Sequence, residues 1–293
     1  MRWPGYIFAA LLAAAPTAQA QAQPPAIIYP GTTADDLRVN YYLRLLDLVL
    51  KKSGGPYRLQ PTGQYMVSPR VLQQMETTGS IDVTWSPTTP ELEQRLIPIR
   101  IPIDKGVLGW RLLLIKKSDR ARFAKIQTQR QLQTLAAGQQ RDWGDTAILR
   151  ANGLHVVAAG LYQPMFQMLA SDRFQYFPRG VIEVWDEERQ NAHLGLEVEP
   201  HLALHYPVQT YYFVSKRNPA LAQRIERGLL IAIKDGSFDA LFEQCNGEFI
   251  RRAKLGNRTV FELSNPLMEA APAQRSARPG GLHLSTAPIS SED

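Results

Sequence analysis

Between Tyr211 and Phe242 the chain reads Tyr-Tyr-Phe-Val-Ser-Lys-Arg-Asn-Pro and then ALAQRIERGLLIAIKDGSFDALF. That punctuation allows little besides a strand, a capped helix, a glycine stop and a second short helix. Asn218 suits the N-cap and Pro219 the first helical position, where a missing N–H costs nothing. Leu221, Ile225, Leu229, Ala232 and Ile233 form one apolar stripe that needs a surface to cover it. Gly236 fits the C-terminal stop, Ser237 can cap the next turn, and Phe238, Leu241, Phe242 and Cys245 repeat at helical spacing.

The rest of the chain alternates strand and helix. Ile27–Tyr29 is a short strand. Leu37–Lys52 is amphipathic and ends at Gly54-Gly55. A helix starts at Ser68-Pro69 and closes at Gly79, and Ile81–Trp85 reads as a strand. Leu112–Ile115 is wholly apolar, as in a strand covered on both sides. Further helices are expected from Asp145 to Gly153, over Met165–Leu169 and over Val181–Gln190. Strands are expected at Leu154–Val157, Phe174–Phe177 and around Leu194–Val198. This rhythm predicts an α/β fold of mainly parallel sheets flanked by helices.

At the N-terminus, Arg2 precedes an apolar run, Tyr6–Ala15, and the small-residue site Ala18-Gln19-Ala20. Residues 1–20 read as a secretory signal peptide, since the run is too short to span a bilayer. No cysteine stands directly after the cleavage site, so the expected product is soluble, exported and not lipid-anchored. Cys245 is the single cysteine, which excludes an intrachain disulfide. The formal charge is +6, spread over isolated pairs such as Lys51-Lys52 and Arg251-Arg252. Nucleic-acid binding calls for clustered basic residues with interleaved aromatics, and none are present. Residues 270–293 are Pro-, Ala-, Ser- and Gly-rich and read as a disordered tail.

Three stretches share their order with a known family. The closing YFVSK strand, NPAL helix and DGSFD turn, the Thr78–Glu91 stretch TGSIDVTWSPTTPE, and Pro98–Ile115 (PIRIPIDKGVLGWRLLLI) resemble periplasmic solute-binding proteins of the amino-acid-binding type. The chain is similar to an orphan branch of family 3 with the type 2 periplasmic-binding-protein fold. That resemblance implies two lobes joined by a two-crossing hinge. The first lobe would comprise residues 27–106 and 207–264 and the second 110–205, with Gly106, Gly109 and Pro207 at the crossings. It also implies capture of a small polar or anionic solute by hinge closure, as a monomer, for transport through a membrane permease or for sensing through a receptor. No cofactor is implied.

The candidate contacts follow from strand ends and helix starts. Trp85, Ser86 and Thr88 follow a strand, where Trp85 is either a cleft wall or core. Trp143, Asp145 and Thr146 precede a helix whose free N–H groups suit an anion, although Asp145 is as well suited to capping it. Phe177 ends a strand and is expected to face Trp85 across the cleft. Arg179 is either a bidentate clamp for an acidic group or a surface residue. Arg100 alternates with Ile99 and Ile101 and points to cleft or solvent. Arg173–Val184 (RFQYFPRGVIEV) sits where the family places its second-lobe ligand strand, but Gln175 stands where an Asp is common. Amino-acid binders of this fold carry an Arg two residues after the Pro of the Thr-rich loop; here Pro90 leads to Glu91 and Leu92. The resemblance therefore does not imply an ordinary α-amino acid.

Glu197, Glu199, His201 and His205 are close in sequence but match no tight zinc spacing, and no metal site is expected. No nucleophile motif or phosphate loop is present, so no catalytic residue is assigned and binding without turnover is expected. The alternative is an enzyme of the same fold, dehydratase-like, with Glu183 or Asp145 as the acid.

Overall fold

A computed structural model describes residues 23–32 and 40–269, so the leader expected at 1–20 and the tail expected at 270–293 lie outside the described residues. The strands are β1 (Ala26–Tyr29), β2 (Arg58–Pro61), β3 (Val83–Pro87), β4 (Ile97–Ile99), β5 (Trp110–Lys116), β6 (Ala136–Gln140), β7 (His155–Ala159), β8 (Phe177–Gly180), β9 (Leu196–His205), β10 (Thr210–Val214) and β11 (Thr259–Glu262). The helices are α1 (Asn40–Ser53), α2 (Ser68–Thr77), α3 (Pro90–Arg95), α4 (Arg120–Phe123), α5 (Gln129–Leu132), α6 (Gly144–Ala151), α7 (Pro164–Ala170), α8 (Val184–Gln190), α9 (Pro219–Lys234), α10 (Ser237–Ala253) and α11 (Pro266–Glu269).

These elements make a two-lobed α/β protein. In the first lobe β1 pairs in parallel with β2, and β10 pairs antiparallel with β3 and β4. The two parts join where Ile28 donates to the Asp82 carboxylate and Asp82 N donates back to Ile28 O, both at 2.8 Å. In the second lobe β6 and β7 are parallel, and β5 runs antiparallel to β8 and β9. The parallel pairs β1–β2 and β6–β7 each join successive strands through one helix, α1 and α6 respectively.

Local signals explain the elements around the first lobe. The Asn218 side chain accepts from Leu221 N, capping α9 as its sequence suggests. Leu221, Ile225 and Leu229 are buried against α1, whose Leu45, Leu46 and Val49 are fully covered. Each such side chain contributes roughly 1.5–3 kcal/mol. Gly236 adopts φ +78° between α9 and α10, a conformation that favours glycine, and is itself the N-cap of α10 in place of Ser237, whose N–H donates to Asp235 Oδ1 at 3.0 Å. The second helix is long rather than short, running to Ala253.

The end of the segment expected in the first lobe departs from it. After α10, β11 pairs in parallel with β9, Thr259 opposite Leu202 through Glu262 opposite His205. Residues 259–262 thus extend the second-lobe sheet. The physical reason is an uncovered strand edge: β9 offers its free backbone groups there, and Phe261 joins the buried cluster of Leu113, Leu204 and Tyr206.

The two crossings expected near Gly109 and Pro207 lie side by side. A Cβ on Gly109 would come 2.3 Å from Tyr206 O, so only glycine admits this approach. Asp104 is wholly buried beside them, accepting from Thr210 Oγ1 at 2.6 Å and Gly106 N at 3.0 Å. Burial pushes its carboxyl up to about 6 from 3.8, partly opposed by the Thr210 and Gly106 hydrogen bonds and by the Arg111 charge.

Two outcomes are expected. A Cβ on Gly228 would meet Val49 O at 2.0 Å, so Gly228→Ala should part α9 from α1 and cost about 1–3 kcal/mol in urea unfolding. An unchanged midpoint would show that the helices do not pack this closely. Because the folded chain holds the Asp104 proton more tightly than the unfolded chain, its contribution is present below about pH 4 and is lost as pH rises to about 6, amounting to about 3 kcal/mol. Asp104→Asn should flatten that part of the stability–pH curve; an identical slope would show that Asp104 does not titrate in this range.

Candidate functional site

A cleft of about 810 Å³ opens between the lobes. Its first-lobe wall is the end of β3 and the loop into α3. Trp85 stands there half-buried, stacked on Tyr42 at 5.9 Å and edge-on to Tyr212 at 6.4 Å. Ser86 and Thr88 also line the cleft. The Thr88 hydroxyl donates to Glu93 at 2.7 Å, and Glu93 takes Arg100 at 2.7 Å. Arg100 is exposed and reaches the site only through Glu93, which corrects its candidacy: a carboxylate on the neighbouring helix draws the guanidinium outward.

The second-lobe wall is built on two buried arginines. Arg111, on β5, donates to Tyr206 Oη at 2.8 Å and pairs with Asp145 at 2.7 Å. Tyr206 in turn donates to Asp145. Arg179, on β8, grips Glu187 with Nε at 2.8 Å and Nη2 at 2.7 Å, and lies 3.1 Å from Glu183. Tyr162 donates to the same Glu187 at 2.5 Å. Burial works against both guanidinium charges. For Arg111 the charges of Asp145, Tyr206 and Glu183 together outweigh it, and for Arg179 those of Glu183 and Glu187 with the Glu187 hydrogen bond and Tyr162 do; both arginines therefore titrate above the ordinary value. The flat face of Arg179 lies 4.7 Å from the Trp143 ring.

Several expectations about single residues are revised. Asp145 does not cap α6; its carboxylate serves Arg111 and Tyr206, and Trp143 holds the N-cap position with no side-chain bond. Thr146 is buried and its hydroxyl donates to Gln140 O at 2.9 Å, so it fastens the helix start and does not line the cleft. Phe177 does not face Trp85. It is wholly buried among Phe166 and Phe174 and stacks on Trp143 at 6.4 Å, because residue 177 falls on the inner side of β8. Trp143, with Tyr162 and Tyr206, is among the aromatic groups that the second lobe presents. Arg179 lines the cleft but is only 3% exposed and already paired.

Sequence reasoning passed over Arg111, Tyr206 and Tyr42, and named Glu183 only as the acid of the enzyme alternative. Arg111 carried a signal: a charge inside an apolar strand must find a buried partner. Tyr42 Oη is buried at the cleft and makes no hydrogen bond. Among the described residues, no group of three or more His, Cys, Asp or Glu is arranged to hold a metal. Glu197 pairs with Arg120, Glu199 accepts from His201 N and Leu202 N, and His205 meets Glu262 at 2.6 Å. No helix of the described residues is long and apolar enough to cross a membrane.

Solved structures share this architecture. An ancestral arginine-binding protein bound to arginine is 18% identical, with a TM-score of 0.56 over 75% of this chain and 97% of its own. A histidine kinase sensor domain with similarity to periplasmic binding proteins is 13% identical, with a TM-score of 0.56 over 77% of this chain and 97% of its own. An ancestral amino acid-binding protein, described as a precursor of cyclohexadienyl dehydratase, is 15% identical, with a TM-score of 0.54 over 76% and 95%. No protein-family model matches the sequence, and neither does any curated protein. The protein has the two-lobed type 2 periplasmic-binding-protein fold.

Removing Arg179 would strand Glu187 in a buried site. Arg179→Ala is therefore expected to cost about 3–5 kcal/mol of stability, against at most about 1 kcal/mol for Arg100→Ala, whose guanidinium is half-exposed and whose loss leaves Glu93 the Thr88 hydroxyl. Urea unfolding of both variants checks this; equal costs would show that the Arg179–Glu187 pair is not structural.

Proposed function

We propose that the protein is an exported solute-binding protein that captures a small polar solute between its lobes by hinge closure and releases it unchanged. One observation carries this reading: a single cleft takes Trp85, Ser86 and Thr88 from one lobe and Trp143, Asp145 and Arg179 from the other. Closure around a solute would engage both sets at once. The arginine-binding and other amino-acid-binding proteins with this fold support the same use of the cleft. Residues 1–20 would direct export, and the closed protein would act as a monomer on a membrane permease or a sensor receptor.

The charge balance narrows the solute. Arg111 and Arg179 are matched by Asp145, Glu183 and Glu187, so this wall has no surplus positive charge for a strongly anionic group. A neutral or zwitterionic head fits it better. In this reading Arg179 orients Glu183 and Trp143 instead of clamping an acid.

A metabolite library screened by thermal shift, with mass spectrometry of each hit after incubation, tests the proposal. A true solute at a hundred times its Kd should stabilise the protein by about 2.7 kcal/mol and come back unaltered. It should also change the emission of tryptophan, since Trp85 and Trp143 line the cleft. A library without hits would sink the binding reading, and conversion of a hit would make the protein an enzyme.

A further inference from the structure

Beyond β11 the chain does not leave the molecule; it runs along α6 to the cleft. Asn152, at the C-terminal end of α6, donates to Ser264 O at 2.8 Å and accepts from Ser264 N at 3.0 Å. Asn265 is buried, donates to Pro207 O at 2.7 Å on the hinge crossing, and accepts from Leu267 N at 3.0 Å. These bonds seat α11 over the start of α6, where the Leu267 Cδ1 atom lies 3.0 Å from the point a Cβ on Gly144 would occupy. Leu267 and Met268 thereby line the cleft.

Their neighbourhood is apolar on both sides. Leu267 packs on the buried cluster that contains Ile148, which also lines the cleft. In the first lobe Met66 and Leu92 pack on Leu72 and Leu96, and all four line the cleft. Leu92 therefore presents a hydrocarbon surface. The one cation on its helix, Arg95, is held by Glu76 and Glu91. Polar groups line the same cleft, among them Arg111, Glu183 and Tyr42.

We propose that the cleft takes a solute with an apolar body as well as a polar head, and that the C-terminal segment Asn265–Met268 supplies part of the wall for that body. This rests on the solute-binding reading and names its class of solute. Water leaves hydrocarbon surfaces on both lobes only if an apolar group fills the space between them. That burial gains about fourfold in affinity per methylene. The polar bonds of Asn152 and Asn265 hold the segment at the site, as a specificity wall requires.

The probes are two homologous series, the zwitterionic 2-aminoalkanoates from 2-aminobutyrate to 2-aminodecanoate and the neutral n-alkanamides from butanamide to decanamide, titrated by calorimetry into the full chain. For at least one head group affinity should climb about fourfold per methylene and then level off as the space fills. Leu267→Ser should weaken the longest members about tenfold and leave the shortest unchanged, and Leu267→Met should restore them. A merely structural Leu267 would instead shift every member of a series by the same factor. A flat series, or no binding by any member, overturns the proposal, as does uniform weakening by Leu267→Ser. The solute-binding reading is decided separately, by whether any library metabolite binds.

Discussion

Two buried guanidinium groups organise the second lobe. Arg111 and Arg179 sit on β5 and β8, adjacent antiparallel strands, and neither could remain there alone, because an isolated buried charge costs several kcal/mol. Each requirement recruits an element. Asp145 brings the start of α6, Tyr206 brings the second crossing, and Glu187 and Glu183 bring α8 and the turn before it. Trp143, immediately before α6, then covers the Arg179 face and becomes part of the aromatic surface of the cleft. The cleft wall is thus a by-product of charge compensation. Apolar replacements of the same volume would stabilise the lobe equally well but would not fix where α6 begins.

What the sequence disclosed follows from the range of each interaction. The cap of α9 by Asn218, the proline after it and the stop at Gly236 are local, and they stand where the residues place them. Trp85, Ser86 and Thr88 were legible as cleft residues because a strand end and its loop are also local. Arg179 was legible as a cleft residue but not as a buried ion pair, since Glu187 lies on the next helix and its approach depends on the turn at Gly180. Phe177 was misplaced because the expected strand, Phe174–Phe177, stops where β8 begins. The Arg111–Tyr206 bond joins residues 95 apart, which no local pattern reveals. β11 and α11 are four-residue elements whose reason for forming is a distant sheet edge and a distant helix.

The same distant contacts alter the mechanics of closure. Besides the two crossings that meet at Gly109 and Tyr206, the chain passes between lobes a third time through α10, which starts on the first lobe and ends against α8. A helix of this length is stiff, so the proposed closure would have to be absorbed at its far end. There Arg252 pairs with Glu188 at 3.1 Å while half-exposed, a contact worth at most about 1 kcal/mol that can be exchanged cheaply. Trp185 Nε1 donates to Phe249 O at 3.1 Å, and the Trp185 ring is stacked by Arg252 at 4.1 Å. That contact is largely buried and costlier to break. β11 is paired with β9 and Ser264 is bonded to Asn152 of the α6 end, so in the proposed closure the C-terminal wall would travel with the second lobe and carry Leu267 towards the first-lobe wall that holds Leu92.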